Sequence, residues 1–295
     1  MQVRGDVPDH ARARAHRAAV AAALAAAVLF GLGTPAAKAL LAGLLYLGMG
    51  GVLALVYAAR GAPRPRFTAG EAGWLAVSIA LGGALAPWLL FWGLARSAAT
   101  VTSLLLNTEV VLTALIARFL FREHYGWRLF AGLGLIALGS ATLGGAATAP
   151  ADLVPTLAVL AACLCWAIDN NATRRIAHAD ASFVGLAKGS IAGTCNTLLA
   201  LAAGAAWPVA GPLAAALAIG AVSYGLSFGL YMRGLRELGA ARTSALFATA
   251  PFAGAALAVG VLGEPVTPRL AVASVAMAVG VWIHVRERHA DATRG

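Results

Sequence analysis

The chain has 295 residues, of which 60% are hydrophobic and 12% charged, and its mean hydropathy is +0.80. That leaves too little polar surface to cover a soluble globule of this size, which makes the chain a membrane protein. The formal net charge of +10 does not point to nucleic acid, because the basic residues sit in short segments between apolar runs, where they set topology.

Crossing about 30 Å of hydrocarbon takes roughly 20 apolar residues, and outside a closed barrel only a helix satisfies its own backbone there. The apolar runs have that length and do not alternate like short strands, so the spans are helical. Residues 1–17 are polar and carry Arg4, Arg12, Arg14 and Arg17, the pattern of a short cytoplasmic tail. The apolar run over 18–59 is broken only by Lys38. As one helix it would be about 63 Å long, so it must hold two spans dividing near Lys38. Eight more are predicted at about 73–95, 99–120, 127–147, 153–173, 182–204, 213–235, 240–262 and 267–285, followed by a second cytoplasmic tail over 286–295. With ten spans and the amino terminus inside, every Lys and Arg except Lys38, Arg96 and Arg269 falls on the cytoplasmic side, as the positive-inside rule asks. Taking 18–59 as one span would invert the rest and leave most basic residues outside. The basic start, apolar core and small residues at 36–39 also fit a cleaved secretory signal, which would leave the later topology unchanged.

The chain repeats itself. Residues 93–139 align without a gap on 234–280: Gly93 and Leu94 fall on Gly234 and Leu235, Thr102 and Ser103 on Thr243 and Ser244, Thr108 on Thr249, Glu123 on Glu264 and Arg128 on Arg269. In so Ala- and Leu-rich a chain the weight rests on these Gly, Thr, Ser, Glu and Arg matches. Further upstream 30–40 aligns with 166–176, so the first unit, 18–147, is a few residues shorter than the second, 152–285. The shortfall predicts a very tight hairpin near residues 38–43. Five spans per unit is an odd number, so the second copy is inverted. The predicted fold class is all-α, ten transmembrane helices in two inverted five-helix repeats. Such repeats recur in secondary transporters, with the substrate site near the midplane between the halves.

The 5+5 layout, the Gly93-Leu94 entry to the fourth span, the stretch Leu106, Asn107, Thr108, Glu109 within it, and Gly263-Glu264-Pro265 after the ninth resemble the drug/metabolite transporter superfamily, EamA type. The resemblance covers about residues 18–285. It implies a transporter of small metabolites, amino acids or drugs, most often an exporter, with no enzymatic activity. Two departures stand out. The proline usual after the fourth-span glutamate is Val110, whereas the second copy keeps Pro251, and the link between the first two spans is short. The first questions any local break in the fourth span, and the second the ordinary shape of the outer vestibule.

Glu109 is the sharpest candidate residue. It lies about 15 Å into its span, near the midplane, where an ionisable group is costly and by default functional. It would bind a cationic or amino group of a substrate or couple transport to protons; the alternative is a protonated packing residue. Its counterpart Ala250 shows that the fold does not demand a carboxylate there. Asp169, in Asp169-Asn170-Asn171, and Lys188 enter neighbouring spans from the same side at similar depth. An ion pair is predicted, serving as a structural bridge or cytoplasmic gate, with substrate contact as the alternative; unpaired, Lys188 would snorkel to the headgroups. Trp88, Trp92 and Trp166 lie within spans and either line a cavity or serve packing or lipid-facing roles, whereas Trp74, Trp127, Trp207 and Trp282 sit near interfaces, as an aromatic belt would. Asn107, Asn196, Tyr224 and Ser227 are mid-span polar groups that either orient a substrate or join helices.

Other signals lead nowhere. Gly225, Ser227 and Gly229 match a nucleophile-elbow pattern, but inside a helical span rather than on a strand-to-helix turn. No His, Cys or Asp cluster has metal-ligand spacing, no glycine-rich phosphate loop occurs, and Cys163, Cys165 and Cys195 read as small apolar groups without a disulfide. Gly189 and Gly193 have the spacing of a close helix crossing. No cofactor or nucleic acid is expected. The predicted partners are a small-molecule substrate, the lipid bilayer and protons as coupling ion, in a monomer or homodimer of the inner membrane. Uptake and a non-transporting membrane scaffold are the competing readings.

Overall fold

The computed structural model describes Ala18, Val20, Ala21 and residues 39–286, except Arg64, Ala98, 123–125, 145–149 and Ala248. The first span and the link at Lys38 thus lie largely outside the described residues. Val20 packs against Leu238 and Leu246.

The described chain is helical: α1 (Ala39–Arg60), α2 (Ala69–Leu94), α3 (Ala99–Leu105), α4 (Thr108–Phe119), α5 (Trp127–Gly144), α6 (Pro150–Arg175), α7 (Ala181–Ala202), α8 (Ala210–Leu238), α9 (Ala240–Phe247), α10 (Ala250–Leu262) and α11 (Pro268–Arg286). They correspond to spans 2 to 10, with spans 4 and 9 each in two pieces. Helix α2 starts before the predicted limit because Thr68 caps it. The Thr68 hydroxyl accepts from the Glu71 amide at 3.3 Å while Glu71 accepts from the Thr68 amide at 2.8 Å, a reciprocal capping box. Asp180 caps α7 in the same sense, accepting from the Ser182 and Phe183 amides.

The two repeats pack as an inverted pair. Helix α1 lies along α7 and α5 along α11, each with its repeat equivalent. The first piece of span 4, α3, packs on α10, the second piece of span 9, and α4 packs on α9. Equivalent helices that meet first piece to second piece run antiparallel, as inversion demands. The α1–α7 contact is close because glycines line it. A Cβ on Gly189 would lie 2.5 Å from the Gly50 amide nitrogen, and one on Gly193 would lie 2.7 Å from that of Leu47. This is the small-residue crossing that the Gly189 and Gly193 spacing predicts.

Two features were not legible in the sequence. First, α2 and α8 each contain a π-helical stretch, Ser78–Leu85 and Gly220–Leu226. Under the alignment that relates the repeats, 78–85 falls on 219–226, so both copies widen at the same place. Second, span 4 breaks at Leu106 and Asn107 although Val110 replaces the proline. The amides of Asn107, Glu109 and Val110 turn to carbonyls three residues back, at 3.0 to 3.1 Å. Span 9 breaks at the aligned position, with Thr249 bonding Leu246 and Phe252 bonding Thr249 in the same way. The break therefore belongs to the repeat and does not depend on the proline.

Candidate functional site

Between the halves lies a cavity of about 80 Å³. A buried water needs only about 10–15 Å³, so there is room for several waters or a small organic group. The first repeat contributes Tyr46 and Met49 from α1 and Glu109 from α4. The second contributes Trp166, Asp169, Asn170 and Thr173 from α6, Lys188 from α7, Tyr224, Ser227, Phe228 and Tyr231 from α8, and Phe247 from α9.

Asp169 and Lys188 are both buried and form an ion pair. Desolvating two charges costs several kcal/mol per ion, which their attraction offsets only with further hydrogen bonds to the pair. The carboxylate has them. The Ser78 hydroxyl donates to Asp169 Oδ1 at 2.5 Å, and the Thr173 hydroxyl, one helical turn on, donates to it at 2.9 Å. The pair fits only because α2 presents a glycine, since a Cβ on Gly82 would lie 1.9 Å from Asp169 Oδ2.

The π turn also accounts for the hydrogen bonds at Gly82 and Gly83. A widened turn leaves carbonyls poorly used within the helix, and π-bulges of this kind gather at functional sites. The Gly82 carbonyl accepts from the Tyr46 hydroxyl at 3.0 Å and from Trp166 Nε1 at 2.9 Å, and the Gly83 carbonyl accepts from Asn196 Nδ2 at 2.8 Å. Two cavity-lining rings, one from each repeat, are thereby pinned to one backbone oxygen. Tyr46 in turn meets the Tyr224 ring edge-on at 5.3 Å, and Tyr231 meets Phe247 at 5.0 Å.

Glu109 has a different setting from Asp169. Asn170 Nδ2 donates to its Oε1 at 2.6 Å and also lies within 3.3 Å of the Thr113 hydroxyl and 3.4 Å of the Ser244 hydroxyl. Among the described residues Glu109 has no ion pair. The cavity thus sets one carboxylate held by an amide beside a second that is neutralised by a lysine, in a largely aromatic wall.

Of the sequence candidates, the structure brings Glu109, Asp169, Asn170, Lys188, Trp166, Tyr224 and Ser227 to this cavity. It places four elsewhere. Trp88 is 38% exposed on the outer face of α2, opposite the buried Ala86, Pro87, Leu90 and Phe91 that meet α6. Trp92 lies on the same outer side, beneath the Arg96 guanidinium at 4.2 Å. Asn107 is fully buried against Met277 Sδ at 3.6 Å, and Asn196 is spent on the Gly83 carbonyl. Both asparagines join helices. Sequence reasoning missed Tyr46, Met49, Thr173, Phe228, Tyr231 and Phe247 as lining residues. A signal was present for half of them: Trp166, Asp169, Asn170 and Thr173, and again Tyr224, Ser227, Phe228 and Tyr231, follow the i, i+3, i+4, i+7 spacing of one helical face.

Comparison with known proteins agrees with this architecture. A curated relative from Methanothermobacter thermautotrophicus (strain Delta H), described as an uncharacterized transporter, is 30% identical over 218 residues. The aligned region is 71% of this chain and 63% of that protein's length. A solved crystal structure superposes with a TM-score of 0.73 at 21% identity, covering 91% of this chain and 98% of the other, and shows the shared fold. The EamA-like transporter family matches residues 17–144 and 154–286, one match to each repeat, and the chain belongs to that family, whose members are multi-pass membrane transporters and not enzymes.

Proposed function

We propose that the protein is a secondary transporter that exports a small organic metabolite across the inner membrane, working by alternating access of its two halves around the central cavity. The observation that carries this reading is the position of Glu109: a carboxylate without an ion pair among the described residues, in a cavity built jointly by both repeats. Buried charge of this kind in a transport fold marks a substrate or ion path. With Asp169 neutralised by Lys188, an ionised Glu109 leaves the cavity with one net negative charge. That suits the amino group of a metabolite, or a proton carried in the opposite direction. Asn170 orients the carboxylate, and the rings of Tyr46, Trp166, Tyr224 and Tyr231 offer surface to an apolar or aromatic body. Asp169 and Lys188, tied to α2, α6 and α7, would act as a bridge that opens or holds one side of the path.

The test compares metabolites in the medium of cells overexpressing wild type, Glu109→Gln or an empty vector. A compound that accumulates outside only with wild type would name the substrate and establish export. Depletion of a compound from the medium would select uptake, and no difference in either direction would favour a scaffold role. Proton coupling is checked in proteoliposomes: Glu109→Gln should abolish transport driven by a pH gradient while the protein stays folded, and unchanged transport would remove Glu109 from the coupling step.

A further inference from the structure

At the end of the bundle where α4 and α6 finish lies a second cavity, of about 150 Å³, lined by Phe121, Asn171, Arg174 and Arg175. Both arginines are exposed, and neither donates a hydrogen bond or forms a salt bridge to any described residue. Three other arginines of this fold differ. Arg233 pairs with Glu237, Arg236 donates to the Ala177 and Ala179 carbonyls, and Arg96 donates to the Trp92 carbonyl. The described carboxylates at this end are also occupied elsewhere: Glu71 by Thr68 and His178, Asp180 by the α7 amides, and Glu237 by Arg233. No described acid neutralises the cleft.

The donors are held ready. The Arg175 guanidinium stacks over Phe121 at 4.5 Å from the ring centroid, and Trp74 meets Phe121 edge-on at 5.9 Å. This cation–π contact holds the guanidinium in place, and its N–H groups, with no hydrogen-bond partner among the described residues, are available to grip phosphate. The deep wall is Asn171, buried, whose amide nitrogen bonds the Thr113 and Ala167 carbonyls. Beside the cleft, Phe119 and Leu120 are 77% and 69% exposed, an apolar flank on which an acyl chain would lie.

We propose that this cleft is a phosphate-group site, taking either the phosphodiester of an anionic lipid headgroup or free phosphate. Basic pockets between transmembrane helices bind such headgroups. The exposed Phe119 and Leu120 favour the lipid source. Arginines at a membrane edge also serve topology alone, but that role needs neither a cleft nor a stacked guanidinium.

The experiment uses the full chain in nanodiscs. Retention of phosphatidylglycerol against phosphatidylcholine is read by native mass spectrometry, and inorganic phosphate is titrated against thermal stability in phosphatidylcholine discs. Wild type should prefer phosphatidylglycerol, and Arg174→Gln with Arg175→Gln should weaken that preference by about tenfold or more, taking roughly one kcal/mol per basic residue. The exposed pair Arg60→Gln with Arg66→Gln should change it far less. Phe121→Leu, which keeps both charges but removes the stack, should cost several-fold. If the double glutamine variant does not fold, Arg174→Lys with Arg175→Lys serves in its place and should lose several-fold through loss of the planar fork. Saturable stabilisation by phosphate in place of lipid preference would assign the site to a free anion. Absence of both, or an equal loss on changing Arg60 and Arg66, would overturn the proposal.

Discussion

The π-helical stretches of α2 and α8 are equivalents in the repeat, yet they serve the cavity in opposite ways. In α2 the backbone does most: Gly82 and Gly83 offer carbonyls to Tyr46, Trp166 and Asn196, and the bare Cα of Gly82 admits Asp169, with the Ser78 hydroxyl adding one side-chain bond to that carboxylate. In α8 the side chains act, as Tyr224 lines the cavity and Ser227 follows at the next turn. Inverted repeats thus share a distortion of the helix without sharing its chemistry. The same asymmetry separates Glu109 from its counterpart Ala250. A duplicated scaffold has been made polar largely on one side, which a site for one oriented substrate requires.

Two substitutions probe the α2 side, and a third probes its α8 counterpart. The largest effect is expected from Lys188→Ala, which strands the buried Asp169 carboxylate. Losing one partner of a buried pair costs about 3–5 kcal/mol, to be read as lowered thermal stability of the purified protein. Lys188→Ala with Asp169→Asn should regain much of that loss; a single variant as stable as wild type would mean that the pair is not holding α2, α6 and α7 together. Next comes Gly82→Ala, whose Cβ meets Asp169 side-on. Overpacking of this kind costs about 1–3 kcal/mol, and here it should also displace the ion pair and depress transport. Gly220→Ala is its mirror test. Its Cβ would meet the Leu45 carbonyl oxygen at 2.1 Å, so a similar loss of stability is expected from a backbone clash away from the charged pair. Equal effects of the two on transport at matched folded yield would break the distinction between the two π segments. Glu109→Gln is expected to change stability by less than about 1 kcal/mol, because the amide preserves shape and an acceptor for Asn170, while removing the charge on which the proposed function depends.

The repeat, the inversion and the helical spans were legible because they are written in period and composition. Gly93, Thr102, Ser103 and Thr108 recur with their partners, and the apolar runs have the length of a bilayer. Glu109, Asp169 and Lys188 were legible because charge is rare inside a membrane and stands out against Ala and Leu. The π stretches were not, since nothing in Ser78–Leu85 or Gly220–Leu226 departs from an ordinary apolar helix by composition; the widening depends on what packs against it. The break at Asn107 was misjudged because proline was taken as its cause, whereas the structure shows three-residue turns without one. Tyr46 and Phe247 escaped notice because each is the only lining residue, or one of two, on its helix, and no face pattern announces them.

The smallest effect should come from Trp88, and Trp166 gives the contrast. Trp88 and Trp166 both lie mid-span and are equivalent in composition terms, but Trp88 faces outward from α2 whereas Trp166 is 8% exposed and donates to the Gly82 carbonyl. Trp88→Leu exchanges one apolar group for another on a lipid-facing surface and should change stability by no more than about 0.5 kcal/mol, the usual range for surface sites, and leave transport unaltered. Trp166→Leu should reduce transport and stability together, because it empties part of the cavity wall and leaves the π-turn carbonyl with Tyr46 alone. Thermal melts and export assays on both variants decide the matter. If Trp88→Leu lowered transport as much as Trp166→Leu, substrate would have to pass the outer face of α2, and the path between the halves would lose its claim to be the transport route.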